Sequence, residues 1–330
     1  MRCAVVGAGA WGTALADLLA SNGHDTSIWA FESDVVDSIN QTHTNRFLRD
    51  AALAPSLRAT SNLGDVLDGA SLIVMATPSH HLRRITGLGK NDVADNAILA
   101  IASKGVERKT LSLMTDVVAA ELPGHSVVAL SGPSFAAEVA ARQPTAIVAA
   151  SSDERAALVT QDALSSHSFR VYTHDDVIGV ELGGALKNVM AVATGIVEGV
   201  GLGFNSRAAL ITRGLHEMTR LGVAIGARAS TFAGLAGVGD LVLTCTGALS
   251  RNRALGIEIG KGATLEEALA GKETVAEGVG TTASALELAA RHEVDMPIVE
   301  MAHRILFEGH PAKNAVPELM ARELRAEQDA

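Results

Sequence analysis

"CAVVGAGAWGTALADLLASNG", residues 3–23, decides the fold. An apolar run enters a glycine-rich turn, and a helix-forming stretch leaves it and stops at Gly23. Gly7, Gly9 and Gly12 have the GxGxxG spacing, and the strand before them and the helix after them supply the context that makes this spacing specific for a dinucleotide. Gly7 permits the tight turn, Gly9 lets backbone approach a pyrophosphate, and Gly12 lets helix and strand pack closely. The helix read over 11–23, beginning at Trp11, then offers free N–H groups and a positive dipole end to phosphates.

Outward from this turn the first half of the chain keeps alternating. Short apolar runs at 26–31, 71–79, 96–105, 126–133, 145–151 and 169–176 read as strands, with room for crossover helices between them. Continuously apolar strands of this length suit a parallel sheet covered on both faces. The pattern predicts an α/β, Rossmann-like, doubly wound parallel sheet. A helix over 151–167, capped by Ser152 or Asp153, precedes a change of pattern. Beyond Val177 only helical runs appear, at 177–200, 207–222, 253–261, 264–270, 281–292, 297–308 and 313–327. The expected organisation is a nucleotide-binding domain over 1–178 and an all-helical substrate and catalytic domain over 179–330. A chain of 330 residues is long enough for two such cores.

Composition narrows the class. Apolar residues make up 48% and charged residues 19%, which is globular and not disordered. A formal net charge of −10 argues against general nucleic-acid binding, yet leaves room for an anionic small molecule at a local basic cluster. Cys3 and Cys245 lie far apart without metal-ligand spacing and read as reduced thiols, so no metal site is expected. Glycines and Asp17 interrupt the apolar N-terminus, and no run reaches the length of a membrane span. A cytoplasmic protein is expected.

At the end of the second strand stands "WAFESD". A preference for a 2′-phosphate usually requires Arg or Lys there. Phe31 and Glu32 occupy the place, and the nearest basic residues are far along the chain. Glu32 either bonds a ribose hydroxyl, repels a phosphate, or is a solvated helix-cap acid. The reading favours NAD over NADP.

Other polar residues fall at strand ends and in glycine-rich loops. Lys104 follows a strand where open α/β sheets bind ligands. Gly132 and Ser134 join a strand to a helix and offer backbone and hydroxyl donors, or Ser134 is an N-cap. Asp240 lies among small apolar residues, where an acid is either paired or functional. Ser250, Arg251 and Asn252 open a helix and have the makings of a phosphate site. In "ELGGALKNVMAVATGI" (181–196), Lys187 is the single charged residue between Glu181 and Glu198. A lysine there snorkels, finds a partner or loses its proton. Burial and a second cation such as Lys104 lower its pKa toward neutrality and suit it as a general base on an alcohol, with Asp240 as an orienting partner.

Seven blocks in order, "GAGAWGTALA", "SKG", "SGPSFAAEVA", "ELGGALKNVMAVATGI", "GVGDLVLTC", "SRNR" and "VAEGV", resemble the bacterial type of NAD(P)-dependent glycerol-3-phosphate dehydrogenase. The resemblance runs from Gly7 to about Pro297. It implies reversible hydride transfer between glycerol 3-phosphate and dihydroxyacetone phosphate, in supply of phospholipid backbone, by a homodimer. It makes Lys187 the proton acceptor and places Lys104, Gly132, Ser134, Asp240, Ser250, Arg251 and Asn252 on substrate. It places Ala10, Trp11, Phe31, Lys104, Ala136, Arg251, Val275 and Glu277 on the cofactor, and Asn188 and Thr244 near the reacting centre. Departures exist: Ala10 stands for the commoner serine, Phe31 for a basic residue, Phe47 for tyrosine and Arg49 for proline. Two other readings remain: a different two-domain NAD(P)-dependent hydroxy-acid dehydrogenase, and a nicotinamide-binding sensor without turnover.

Overall fold

The chain is described here from a computed structural model over residues 1–271, 276–324 and 326–327. Its strands are β1 (Arg2–Val6), β2 (Asp25–Trp29), β3 (Arg58–Thr60), β4 (Leu72–Met75), β5 (Ile98–Ile101), β6 (Ser126–Ser131), β7 (Thr145–Ala150) and β8 (Phe169–His174). They form one sheet in the order β3-β2-β1-β4-β5-β6-β7-β8. The first six have the order of a doubly wound dinucleotide fold, whose switch point lies between β1 and β4. Val6 pairs with Trp29 on one side and Met75 on the other. Separate apolar clusters cover the two faces: Leu15, Leu19, Ile28 and Leu72 lie in one, Val6, Ile73, Leu82 and Leu99 in the other.

Two features of the sheet depart from the sequence reading. β3 is an additional strand, three residues long and partly exposed, without the apolar run that marks the others. β7 and β8 run antiparallel to the rest, with Ala129 opposite Ala150. After β6 the chain makes only the short helix Ala136–Ala140, which stays beside the glycine-loop helix Ala10–Ser21, and it returns without a crossover. Arg142 fastens that return through a 2.7 Å ion pair to the buried Asp17.

The helix Val177–Gly199 begins three residues after β8 and is buried without interruption from Gly179 to Val197. Asp176 caps it by accepting from the Gly179 N–H at 2.9 Å. Its mean hydropathy of 1.3 would satisfy a membrane span by length and composition, contrary to the sequence expectation. That apolarity is used internally, because helices Phe204–Ala224, Asp240–Thr246, Arg251–Gly260 and Glu277–Arg291 pack around it. Val180 also joins Ala129, Val148, Ala150 and Ala236 in a cluster between helix and sheet.

Two helices in this region borrow their N-terminal caps from distant carboxylates. Glu181 accepts from the Thr115 N–H at 2.9 Å and its hydroxyl at 2.5 Å, over helix Met114–Glu121. Glu217 accepts from the Ile298 N–H at 2.8 Å, over helix Pro297–Phe307. Burial pushes both carboxyls up to about 7, against the pull of these donors. Past Pro297–Phe307 the last described helix, Ala312–Met320, is shorter than the periodicity over 313–327 suggests.

Candidate active site

The glycine turn is shaped by contacts that only glycine permits. Gly7 has φ +116°, and a Cβ there would lie 2.9 Å from the Ala76 carbonyl. A Cβ on Gly12 would run into the carbonyl oxygen of Gly7. Gly9 differs, since nothing lies within 4 Å of the place its Cβ would take. It is the N-cap residue of the helix Ala10–Ser21, with no side chain capping the first turn. The free N–H groups therefore face open space at the carboxyl edge of the sheet. Two buried polar atoms nearby lack partners, Trp11 Nε1 and Thr77 Oγ1. Open backbone and orphaned donors fit a dinucleotide in this crevice.

Asn45 braces the turn, a role that its sequence context does not reveal. Its Nδ2 donates to Ala8 O at 2.9 Å and to Thr13 Oγ1 at 2.7 Å, and its Oδ1 accepts from the Phe47 N–H at 2.9 Å. Nothing in "THTNRF" marks a buried bridge, because the two acceptors it reaches, Ala8 O and Thr13 Oγ1, lie more than thirty residues away in sequence. Phe31 is 75% exposed and its ring meets Trp29 edge-on at 6.4 Å. Glu32 occupies the N-cap of the helix Ser33–Thr42, but its side chain caps nothing. Basic residues are not far off in space. The fold brings Arg46 Nε to 3.2 Å from Asp34 Oδ2, two residues beyond Glu32.

Past β5 and β6, three charged residues converge. Asp240 is fully buried. Its Oδ2 accepts from Lys104 Nζ at 2.7 Å, and its Oδ1 accepts from Lys187 Nζ. Thr244 donates its hydroxyl to the Asp240 main-chain carbonyl at 2.7 Å, one turn further on. Asp240 arrives on a single π-helical turn, Leu235–Gly239, that runs straight into helix Asp240–Thr246. Gly183 makes room for that turn, since a Cβ there would press on Ala236 O. Four residues on from Gly183, one helical turn, stands Lys187.

Electrostatics follow from this packing. Burial lowers the Lys187 ammonium most, Asp240 opposes, and Lys104 adds to the fall, which leaves it at about 8. Burial alone would raise Asp240, but Lys104 and Lys187 outweigh it and hold the carboxyl below its ordinary range. The resting cluster is thus one carboxylate shared by two amines. The sequence reading attributes the tuning of Lys187 to burial and Lys104 together; here burial dominates.

Gly132, with φ +142°, has backbone where a Cβ would lie 2.9 Å from Ile147 Cα. Its carbonyl accepts from Lys104 Nζ at 3.5 Å and from Ser134 Oγ at 3.0 Å. Ser134 is not an N-cap: Phe135 has that position for Ala136–Ala140. Ser131 Oγ, beside Gly132, is buried without a partner. Ser250 caps helix Arg251–Gly260 by accepting from the Arg253 N–H at 3.2 Å. Arg251 is exposed at the first helical position. Asn252 bridges three helices, donating to Asn188 Oδ1 at 3.0 Å and accepting from the Gly278 N–H at 3.0 Å. Glu277, half-buried, has its carboxyl raised by burial against Arg251, the Ser79 N–H, Lys104 and Lys187. Val275 lies outside the described residues.

A dinucleotide crevice beside a buried amine–carboxylate cluster defines a two-domain, nicotinamide-dependent dehydrogenase. Two family models match, NAD-dependent glycerol-3-phosphate dehydrogenase N-terminus over residues 2–157 and its C-terminus over 176–317. The chain belongs to the NAD-dependent glycerol-3-phosphate dehydrogenase family. It is 50% identical over 333 residues to a glycerol-3-phosphate dehydrogenase [NAD(P)+] of Syntrophotalea carbinolica, covering 100% of both chains. Identity is 51% over 330 residues to that of Geobacter sulfurreducens, with 99% of this chain and 98% of the other covered. A crystal structure of glycerol-3-phosphate dehydrogenase from Coxiella burnetii superposes with TM-score 0.93 at 41% identity, covering 97% of this chain and 98% of that one.

Proposed function

We propose that this chain interconverts glycerol 3-phosphate and dihydroxyacetone phosphate, with Lys187 Nζ moving the proton of the reacting oxygen. The observation that carries this is the Lys104–Asp240–Lys187 cluster at the carboxyl edge of the sheet. A bound nicotinamide would supply or accept the hydride. Gly7, Gly9, Ala10, Trp11 and Gly12 would hold it, with Phe31, Lys104, Ala136, Arg251, Val275 and Glu277. In ketone reduction Lys187 donates its proton to the forming alkoxide; in alcohol oxidation the neutral amine takes the hydroxyl proton. Asp240 keeps the amine in place, and Lys104 adds positive charge beside the oxygen. Arg251, with Ser250 and Asn252 at a helix start, takes the phosphate, and Gly132 and Ser134 complete the substrate contacts.

The family resemblance supports three further parts of the reading: a homodimer, a cytoplasmic setting, and supply of glycerol 3-phosphate to phospholipid synthesis. Phe31 and Glu32 at the end of β2 support NAD as the preferred nucleotide, since neither attracts a 2′-phosphate.

Purified protein mixed with NADH and dihydroxyacetone phosphate is expected to lose absorbance at the reduced-nicotinamide band. No oxidation at any pH would favour a sensor, and comparable turnover of a non-phosphorylated hydroxy acid would favour the other dehydrogenase reading. The pH dependence has a definite sign. Lys187 falls to about 8, so kcat for reduction declines as pH rises through that value, and kcat for oxidation climbs over the same window. Lys187→Ala should lower kcat about 10³-fold and leave cofactor Kd nearly unchanged. A kcat within threefold or so of the parent would remove Lys187 from its role.

A further inference from the structure

We propose that Arg83 and Glu107 are positioning residues for the Lys104 amine. Their ion pair fixes the segment 104–113 between the sheet and the helical part of the chain, and so decides how Lys104 meets Asp240. The inference rests on the reading that places Lys104 beside the reacting oxygen.

Lys104 leaves the sheet from a firm start, since Ser103 donates its hydroxyl to Thr77 O at 2.5 Å. Gly105 follows with φ +158°, where a Cβ would lie 2.8 Å from the hydroxyl oxygen of Ser79, the first residue of helix Ser79–Gly89. Arg83 stands one turn further along the same helix. Its Nε and Nη2 donate to the two carboxylate oxygens of Glu107, both at 2.8 Å, and its Nη1 donates to Glu121 Oε1 at 2.8 Å. One face of that helix therefore grips the segment at two successive turns, by contact at Gly105 and by charge at Glu107.

Glu107 passes the grip on. Its Oε2 also accepts from Thr110 Oγ1 at 2.6 Å, its N–H donates to Ser112 O at 3.0 Å, and its carbonyl accepts from the Leu111 N–H at 2.9 Å. Val106 and Leu113 bridge across the closed loop. Val106, Leu111 and Leu113 do not pack under the sheet; they join Leu182, Leu186 and Leu288 in the core of the helical part. Leu111 is buried with φ +61°, a left-handed conformation that a bulky residue holds only where its surroundings enforce it. The segment is thus a peg set among the helices, and Lys104 stands at its root, with Nζ 2.7 Å from Asp240 Oδ2.

An ordinary surface pair would steer little. Here both Glu107 oxygens take parallel donors, 18% of the Glu107 side chain is accessible, and Glu121 extends the pair into a network. Such a fork fixes direction as well as distance. A misplacement of about 1 Å in an aligned group costs up to about 10²-fold in rate, so a loosened peg is felt at the amine.

A double-mutant cycle on kcat for dihydroxyacetone phosphate reduction tests this, with Tm followed for every variant. Lys104→Met is expected to lower kcat about 10²-fold. Arg83→Gln is expected to lower it about tenfold in the parent and less than about twofold in Lys104→Met, because residues that act through one group are not additive. Glu107→Gln keeps the shape and loses the charge; it should behave the same way, and it carries the cycle if Arg83→Gln does not fold. Arg83→Lys should recover only part of the loss, since an ammonium lacks the planar fork. A merely structural pair would lower Tm and reduce kcat by the same factor in both backgrounds. That equal factor, or a parent-like kcat in Arg83→Gln and Glu107→Gln, would overturn the proposal. A parent-like kcat in Lys104→Met strikes the site reading first and this proposal with it, whereas an Arg83 effect that survives without Lys104 strikes this proposal alone.

Discussion

Two sets of glycines hold this molecule together, and they do opposite things. At the N-terminal turn, Gly7 and Gly12 fit against backbone while Gly9 faces open space. At the far end, Gly195 and Gly199 of the buried helix meet Gly256 and Gly260 of helix Arg251–Gly260 with no space at all. A Cβ on Gly195 would enter Arg253 O, and one on Gly256 would enter Val192 O. Gly199 and Gly260 face Ile257 O and Ile196 O in the same way. The first set has the GxGxxG spacing, and the second is spaced by four on each helix. One frames a void for a ligand, and the other abolishes a void so that two backbones touch. The crossing matters to the chemistry because Ser250, Arg251 and Asn252 sit at the start of one helix and Lys187 and Asn188 on the other. Close approach of the axes is what lets Asn252 reach Asn188 at 3.0 Å.

The largest effect is expected at the crossing. Gly256→Ala puts a methyl group into backbone on a facing helix, which no rotamer change relieves. Overpacking of this kind should destabilise by about 3 kcal/mol or more, read as a fall in Tm and in denaturant midpoint. Substrate turnover should suffer with it, since the helix carrying Arg251 must move. A Tm within a degree or two of the parent would show that the helices slide apart freely, and the contrast between the two glycine sets would dissolve.

Gly12→Ala comes next. Its Cβ would meet the Gly7 carbonyl, but the first turn of a helix beside an open crevice yields more readily than a helix buried on all sides. A loss of about 1–3 kcal/mol in stability is expected, with cofactor binding weakened beyond easy detection. Stability loss equal to that of Gly256→Ala would mean the turn is as rigid as the crossing.

How visible these features are in sequence follows from what each depends on. The buried parallel strands are visible because burial on both faces demands unbroken apolar runs, as in Leu72–Met75. β3 escapes because three partly exposed residues make no such demand. The reversal of β7 is a matter of connection, not composition, so "TAIVAA" reads the same in either direction. The π-helical turn and the helix that bring Asp240 to Lys187 are hidden behind Gly234, Gly237 and Gly239, which read as loop. Lys187 and Asp240 stand out singly, as charges in apolar surroundings. Their sharing with Lys104, across 136 residues in one case, is a property of the fold. The glycines of the crossing are spaced by four, but spacing alone does not say that a facing helix carries the complement.

The smallest structural effect, and the sharpest test, belongs to Gly9→Ala. Nothing lies within 4 Å of the new methyl group, and φ at this position is −66° with an extended ψ of 177°, which alanine adopts without strain. Stability should therefore stay within about 0.5 kcal/mol of the parent. The methyl group nevertheless projects into the space that a pyrophosphate needs for close approach to the free N–H groups. Loss of even one such contact weakens nucleotide binding about tenfold, measured as Kd for the reduced cofactor. The two readouts separate space that is merely empty from space kept for a ligand. An unchanged Kd with unchanged Tm would mean the dinucleotide does not lie against Gly9, and the N-terminal set would then be structural like the other.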